Sequence, residues 1–256
     1  VIVNNLSQYI DRTIIIASGN ETGHHQAHRL LAIHQPVFYQ PVIHHAGQTD
    51  MDTRILPVEI YADIICPWCY IGKRRLEAAF AERPNVTPSY RWRAFLLNPT
   101  MPREGMDRGA YLGAKFGHSA AAVYGRIASA GLDSGIAFRF DDIRRTPDSR
   151  AAQRLLIAAG PDSAALSEIL YNAYFIEGCD IGDPDILADI ALRFGRPDLI
   201  DAAADDAVGR QLENNLATAN QLRLDGVPYF IFDGKYAIAG AHQPEHLIPA
   251  IDAAAA

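Results

Sequence analysis

Residues 58–69, Val58-Glu59-Ile60-Tyr61-Ala62-Asp63-Ile64-Ile65-Cys66-Pro67-Trp68-Cys69, govern the reading of the rest of the chain. Residues 58–63 are rich in Val, Ile and Tyr and alternate poorly, as a strand covered on both faces does. Residues 70–82 then repeat at helical spacing. Cys69, Gly72, Leu76, Ala79 and Phe80 form one stripe, while Lys73, Arg74, Glu77 and Glu82 are expected in solvent, with Lys73 and Glu77 spaced as a side-chain pair. Two cysteines three apart at a helix start share a face and lie within disulfide-bonding reach. Helix-start amides and the helix dipole suit an anionic sulfur at Cys66, whereas Cys69, inside the first turn, is more shielded and placed to attack from behind. Pro67 fits a first-turn position, where its missing N–H costs nothing.

Downstream, Pro84-Asn85 ends the helix and residues 86–97 read as a second strand. Tyr90, Trp92 and Ala94 fall on one face, Arg91, Arg93 and Phe95 on the other. Strand, helix and strand at this spacing imply a right-handed crossover to a parallel neighbour. From Pro102 to about Leu224 the pattern changes to helices punctuated by Gly and Pro. They are expected at 107–116, 120–130, 149–159, 163–176, 184–194 and 206–224, with a short extended piece at 138–141. Strand chemistry returns in 229–232 and 235–239, either side of Asp233-Gly234, a pair suited to a type I′ turn. A last helix, 244–254, contains Pro249, which is expected to bend it or delay its start.

Upstream the composition differs. Six of the nine histidines, His24, His25, His28, His34, His44 and His45, fall before Met51, where no sustained period exists beyond a short helical possibility at 24–33. His24 and His28 would share a helix face, but no Cys or carboxylate cluster accompanies them, and no metal site is expected. The formal charge of -7 argues against nucleic-acid and anionic-membrane partners, which rely on clustered Lys and Arg. No apolar run approaches membrane-spanning length. With three cysteines, Cys66, Cys69 and Cys179, this is not a disulfide-stapled scaffold. Residues 1–26 lack the basic start and sustained apolar core of a secretory signal, so a cytoplasmic protein is expected.

Three segments resemble one family: 60–76 (IYADIICPWCYIGKRRL), 91–102 (RWRAFLLNPTMP) and 226–243 (GVPYFIFDGKYAIAGAHQ) look like the DsbA family of thiol-disulfide oxidoreductases, in particular its FrnE-like branch. The order of elements agrees with an α/β, thioredoxin-like fold carrying a large all-helical insertion. The division expected is a disordered N-terminal extension at 1–54, a thioredoxin-like domain at 55–102 plus 225–256, and the insertion at 103–224, roofing the Cys66 side. The resemblance implies that Cys66 attacks and Cys69 resolves. It implies that Pro67 and Trp68 bear on the substrate, and that Val227-Pro228 is a cis-proline step whose Val227 backbone pairs with an extended substrate segment. The implied partner is a disulfide- or dithiol-containing peptide or small molecule, with no tightly bound cofactor and with glutathione as a co-substrate. Asp63, three before Cys66, is a proton-relay candidate; a strand-end carboxylate bonded to a nearby amide is the competing reading.

The chain departs from the family pattern in three places. Gly240-Ala241-His242-Gln243 replaces a GAQ-like sequence, and Asp148-Ser149 and Gln153 stand where relatives often carry Asn-Thr and a later His. Cys179 reads as a passive thiol, Trp92 as core, and His242 and His246 as surface or core-edge residues. A second class shares the architecture: glutathione-dependent isomerases resembling 2-hydroxychromene-2-carboxylate isomerase. These typically carry Ser where this chain has Cys66, so the two cysteines argue against them. A zinc site would need four ligands, for which the CxxC pair and Cys179 are a poor start.

Overall fold

The computed structural model describes residues 53–256. The expected extension and its six histidines lie outside the described residues, except that Arg54 already opens the first strand.

Strand β1 (Arg54–Ala62) begins four residues earlier than its apolar run suggests, because its parallel ladder with β2 (Val86–Ala94) runs from Arg54↔Val86 to Ala62↔Ala94. Its first half alternates, with Leu56 and Val58 buried and Ile55 exposed, and only 60–62 is covered on both faces. Helix α1 (Pro67–Ala81) makes the crossover, and the expected stripe of Cys69, Gly72, Leu76, Ala79 and Phe80 is buried.

Between β2 and the hairpin the chain is helical apart from a two-residue ladder, β3 (Met106–Asp107) with β4 (Arg145–Thr146). The helices are α2 (Arg108–Phe116), α3 (Ala120–Leu132), α4 (Arg150–Ala159), α5 (Ser163–Phe175), α6 (Pro184–Arg193), α7 (Leu199–Ala204) and α8 (Asp206–Gln221). Asp107 and Asp183 cap α2 and α6, their carboxylates accepting from Ala110 N–H and Asp185 N–H. Helix α7, six residues long, is too short for a helical period to stand out. The piece at 138–141 is not extended: residues Phe140–Asp142 form a 3-10 turn. The Phe138 and Phe140 rings stack at 4.7 Å and both meet Phe175 of α5, so the alternation reflects rings gathered onto a helix, not a sheet face.

Strands β5 (Tyr229–Phe232) and β6 (Tyr236–Ala239) complete an order β2-β1-β5-β6, with β5 antiparallel to both β1 and β6. Asp233 and Gly234 have φ of 50° and 65°, and Lys235 N–H closes the turn on Phe232 O at 3.0 Å. Helix α9 (Pro244–Ala255) runs through Pro249 without a break. The ring removes one backbone bond, and burial of Leu247 and Ile251 against the rest of the fold offsets that loss. Helix α1 packs on α9, α3 and α5, so the insertion and the last helix meet at the cysteine-bearing element.

Candidate active site

Cys66 is the N-cap of α1 and Pro67 its first residue, so the strand-to-helix junction itself presents the thiol. Cys66 N–H donates to Asp63 O at 3.0 Å, and Cys69 N–H donates to Cys66 O at 3.0 Å, a tight first turn that stacks the two side chains. Both cysteines are free and buried, and their side chains are hydrogen-bonded to each other. Far along the chain the Val227–Pro228 peptide bond is cis, and the Cys66 thiol donates to Val227 O at 3.7 Å. Gly72, one turn after Cys69, makes the approach possible: a Cβ there would lie 2.7 Å from Pro228 Cγ. Pro67 is buried, and Trp68 is half-buried against the core.

Asp63 is completely buried at the end of β1. Its Oδ2 accepts Leu97 N–H at 2.8 Å and its Oδ1 accepts Ile65 N–H at 3.3 Å. Burial outweighs these bonds and those from Ser149 and Gln153, and pushes its pKa up to about 6. Cys69 is raised well above an ordinary thiol, by burial first, then by its bond to Cys66; the nearby Asp63 charge adds to this. Asp63 is thus amide-bonded and, at the same time, close enough to Cys69 for its charge to matter.

Sequence reasoning missed the support beneath this carboxylate. Gln153 of α4, fully buried, donates through Nε2 to Ala62 O (2.9 Å) and Phe95 O (3.1 Å), and accepts Trp92 Nε1–H at 2.8 Å. Tyr171 of α5 donates to Asp63 O at 3.5 Å and stacks on Tyr70 at 4.8 Å. The departures at Ser149 and Gln153 therefore bear on Asp63. A signal was present: Gln153 lies on the buried stripe with Ala152, Leu156 and Ile157, where a polar side chain needs partners.

The solvated face expected on α1 is also corrected. Lys73 pairs with Glu77 as its spacing indicates, but it is buried and reaches Glu168 of α5 at 2.8 Å, which also accepts from Arg74 (2.5 Å) and Tyr70 (2.6 Å). Glu168 outweighs the cost of its own burial through these cations and sits below the usual carboxylate range. Cys179, half-buried, lies 3.8 Å from Glu177 Oε2, and burial and that carboxylate push its thiol up. His242 Nε2 is 2.8 Å from Ala239 O. Among the described residues no group of three or more His, Cys, Asp or Glu is arranged to hold a metal ion, and no helix is long and apolar enough to cross a membrane.

Residues 57–252 match the sequence model of the DSBA-like thioredoxin domain. No curated protein matches the chain. Among solved structures, a probable DsbA oxidoreductase from Streptomyces coelicolor is 29% identical with a TM-score of 0.69, over 78% of this chain and 89% of that one. The cytosolic disulfide reductase DsbM from Pseudomonas aeruginosa is 18% identical with a TM-score of 0.55, over 77% of this chain and 94% of that one; its structure with glutathione gives a TM-score of 0.52, over 77% and 95%. A 2-hydroxychromene-2-carboxylate isomerase is 17% identical with a TM-score of 0.55, over 77% of this chain and 93% of that one.

Proposed function

The chain belongs to the DSBA-like thioredoxin domain family, and from that premise we propose that it is a thiol-disulfide oxidoreductase in which Cys66 attacks and Cys69 resolves. The observation that carries this reading is the thiol of Cys66 facing Val227 O at 3.7 Å, with the buried Cys69 bonded to it from the same turn. The thiolate of Cys66 bonds to one sulfur of a substrate disulfide as the substrate S–S bond breaks, and the departing thiolate takes a proton from water. Cys69 then gives its proton to the Asp63 carboxylate and attacks the Cys66 sulfur. The Cys66–Cys69 disulfide forms, and the second substrate sulfur leaves as a thiolate that is protonated in turn. The substrate gains two electrons and the enzyme loses two; two external thiols, glutathione in this reading, restore the dithiol, and the reverse sequence oxidises a dithiol. Pro67, Trp68, Val227 and Pro228 form the substrate's seat, Val227 offering backbone to an extended or small disulfide.

Glutathione fits as co-substrate because a glutathione-bound reductase shares the fold, and a cytoplasmic setting goes with that thiol pool. The isomerase reading leaves Cys69 without a task, whereas exchange uses its burial beside Asp63. The experiment is a Cys69→Ser variant incubated with a small disulfide and followed by intact-mass spectrometry. A stable mixed disulfide at Cys66, absent in Cys66→Ser, is expected, together with loss of insulin-reductase turnover. Insulin turnover indifferent to Cys69→Ser would remove Cys69 from the mechanism, and absence of both insulin turnover in the wild type and a mixed disulfide at Cys66 would sink exchange and favour an isomerase.

A further inference from the structure

The start of the insertion gathers polar side chains that exchange does not use. Arg108, the first residue of α2, is only 7% exposed. One guanidinium nitrogen donates to Thr146 Oγ1 (3.1 Å) and Tyr174 OH (3.5 Å), another to Tyr124 OH (2.9 Å), and the buried Nε has no partner. Its neighbours are neutral hydroxyls and the Tyr124 and Tyr111 rings, 5.1 and 5.9 Å away. No carboxylate among the described residues lies within ion-pair distance of it. Lys115, two turns on, likewise meets no carboxylate among the described residues: it donates to Tyr111 OH (2.7 Å) and Asn98 Oδ1 (3.4 Å). Tyr111 OH also reaches Asn98 Oδ1 at 3.1 Å, and the buried Asn98 Nδ2 is unpartnered.

Among the described residues, two cations without a counter-ion and two buried donors without an acceptor thus meet in one place. A buried guanidinium is costly unless an anion accepts from it, and a carboxylate matches its fork in a way hydroxyls do not. The location ties the group to the thiols. Asn98 follows Leu97, whose N–H holds Asp63. The Tyr124 hydroxyl, its proton affinity raised mainly by burial, also feels the charge of Cys66.

We propose that Arg108 and Lys115, with Tyr111, Tyr124 and the amide of Asn98, form a subsite for a carboxylate of the substrate, so that the enzyme selects acidic disulfides or thiols. The word substrate here rests on the exchange reading, but the subsite can be tested without it. In full-length protein carrying Cys66→Ser and Cys69→Ser, calorimetric affinities for dithiodipropionate, hydroxyethyl disulfide and cystamine are compared. The dianionic disulfide is expected to bind about tenfold or more tightly than the neutral one, and the cationic one most weakly. Lys115→Gln, at a half-exposed position, and Arg108→Gln each reduce the preference, and Tyr124→Phe reduces it less. Equal or undetectable binding of all three overturns the subsite, as does a preference that survives both cation substitutions. In the enzyme with its cysteines, equal exchange rates for acidic and neutral disulfides overturn the subsite and leave exchange standing. A binding preference without any exchange leaves the subsite standing and removes the exchange reading.

Discussion

Asp63 links the stability of the fold to its chemistry. Burial raises its pKa from 3.8 to about 6, so between those values the unfolded chain has lost a proton that the folded chain still holds. Stability contributed by this group is therefore fully present below about pH 4, is lost as pH rises through about 6, and stays lost above that. The loss is up to about 3 kcal/mol. Urea denaturation of wild type and Asp63→Asn from pH 4 to 7 should show their stability difference falling by up to about this amount, since Asn does not titrate. A difference that is flat across the window would mean that the carboxyl is not held protonated. The resolving step gives a second readout: its rate should rise with pH around 6 in wild type and lose that titration in Asp63→Asn, because only the ionised carboxylate can accept the Cys69 proton.

At the scale of elements, the decisive contact is between α1 and the loop entering β5. Gly72 allows the helix to approach within contact of Pro228 and of Phe230, whose Cζ would lie 3.2 Å from an added Cβ. The proline ring cannot swing away as a flexible side chain would. Gly72→Ala should therefore destabilise by about 1–3 kcal/mol in place of the gain Ala brings to an open helix position. Gly125→Ala in α3, where a Cβ meets nothing within 4 Å, is the control and should be stabilising. Exchange by Gly72→Ala, measured where the variant is fully folded, should be slower as well, because the displaced loop carries Val227 away from Cys66. Normal stability with normal exchange would refute the close approach.

For the whole molecule, the sheet and the insertion are joined through α1: Glu168 of α5 holds Tyr70, Lys73 and Arg74, while Gln153 of α4 holds the ends of β1 and β2. Among the described residues, the β1–β2 ladder starts at Arg54. Arg54 N–H donates to Asn85 O at 3.0 Å and its guanidinium to Ala254 O at 3.1 Å. A chain beginning at Met51 is expected to keep both melting temperature and exchange rate. Beginning at Val58 removes the fully buried Leu56 and should cost about 2–5 kcal/mol. Equal melting of the two truncations would show that the first turns of β1 contribute nothing. The amino-acid order by itself determined the dithiol at a strand-to-helix junction, the parallel crossover, the Asp233-Gly234 turn and most of the helices, because each is a pattern within a few residues. Where the local pattern was ambiguous it misled: rings at 138 and 140 alternate like a strand but serve a helix, and Lys73 sits at a polar position yet is buried. Only the tertiary structure decided which polar groups meet. Gln153 and its acceptor Ala62 are 91 residues apart, and Lys73 and Glu168 are 95 apart. No local period encodes such pairs; they exist because the insertion folds back onto α1. The same folding brings Arg108 onto the hydroxyls of Tyr124, Thr146 and Tyr174, and it turned the bare motif Cys66-Pro67-Trp68-Cys69 into a site with a supported carboxylate close by.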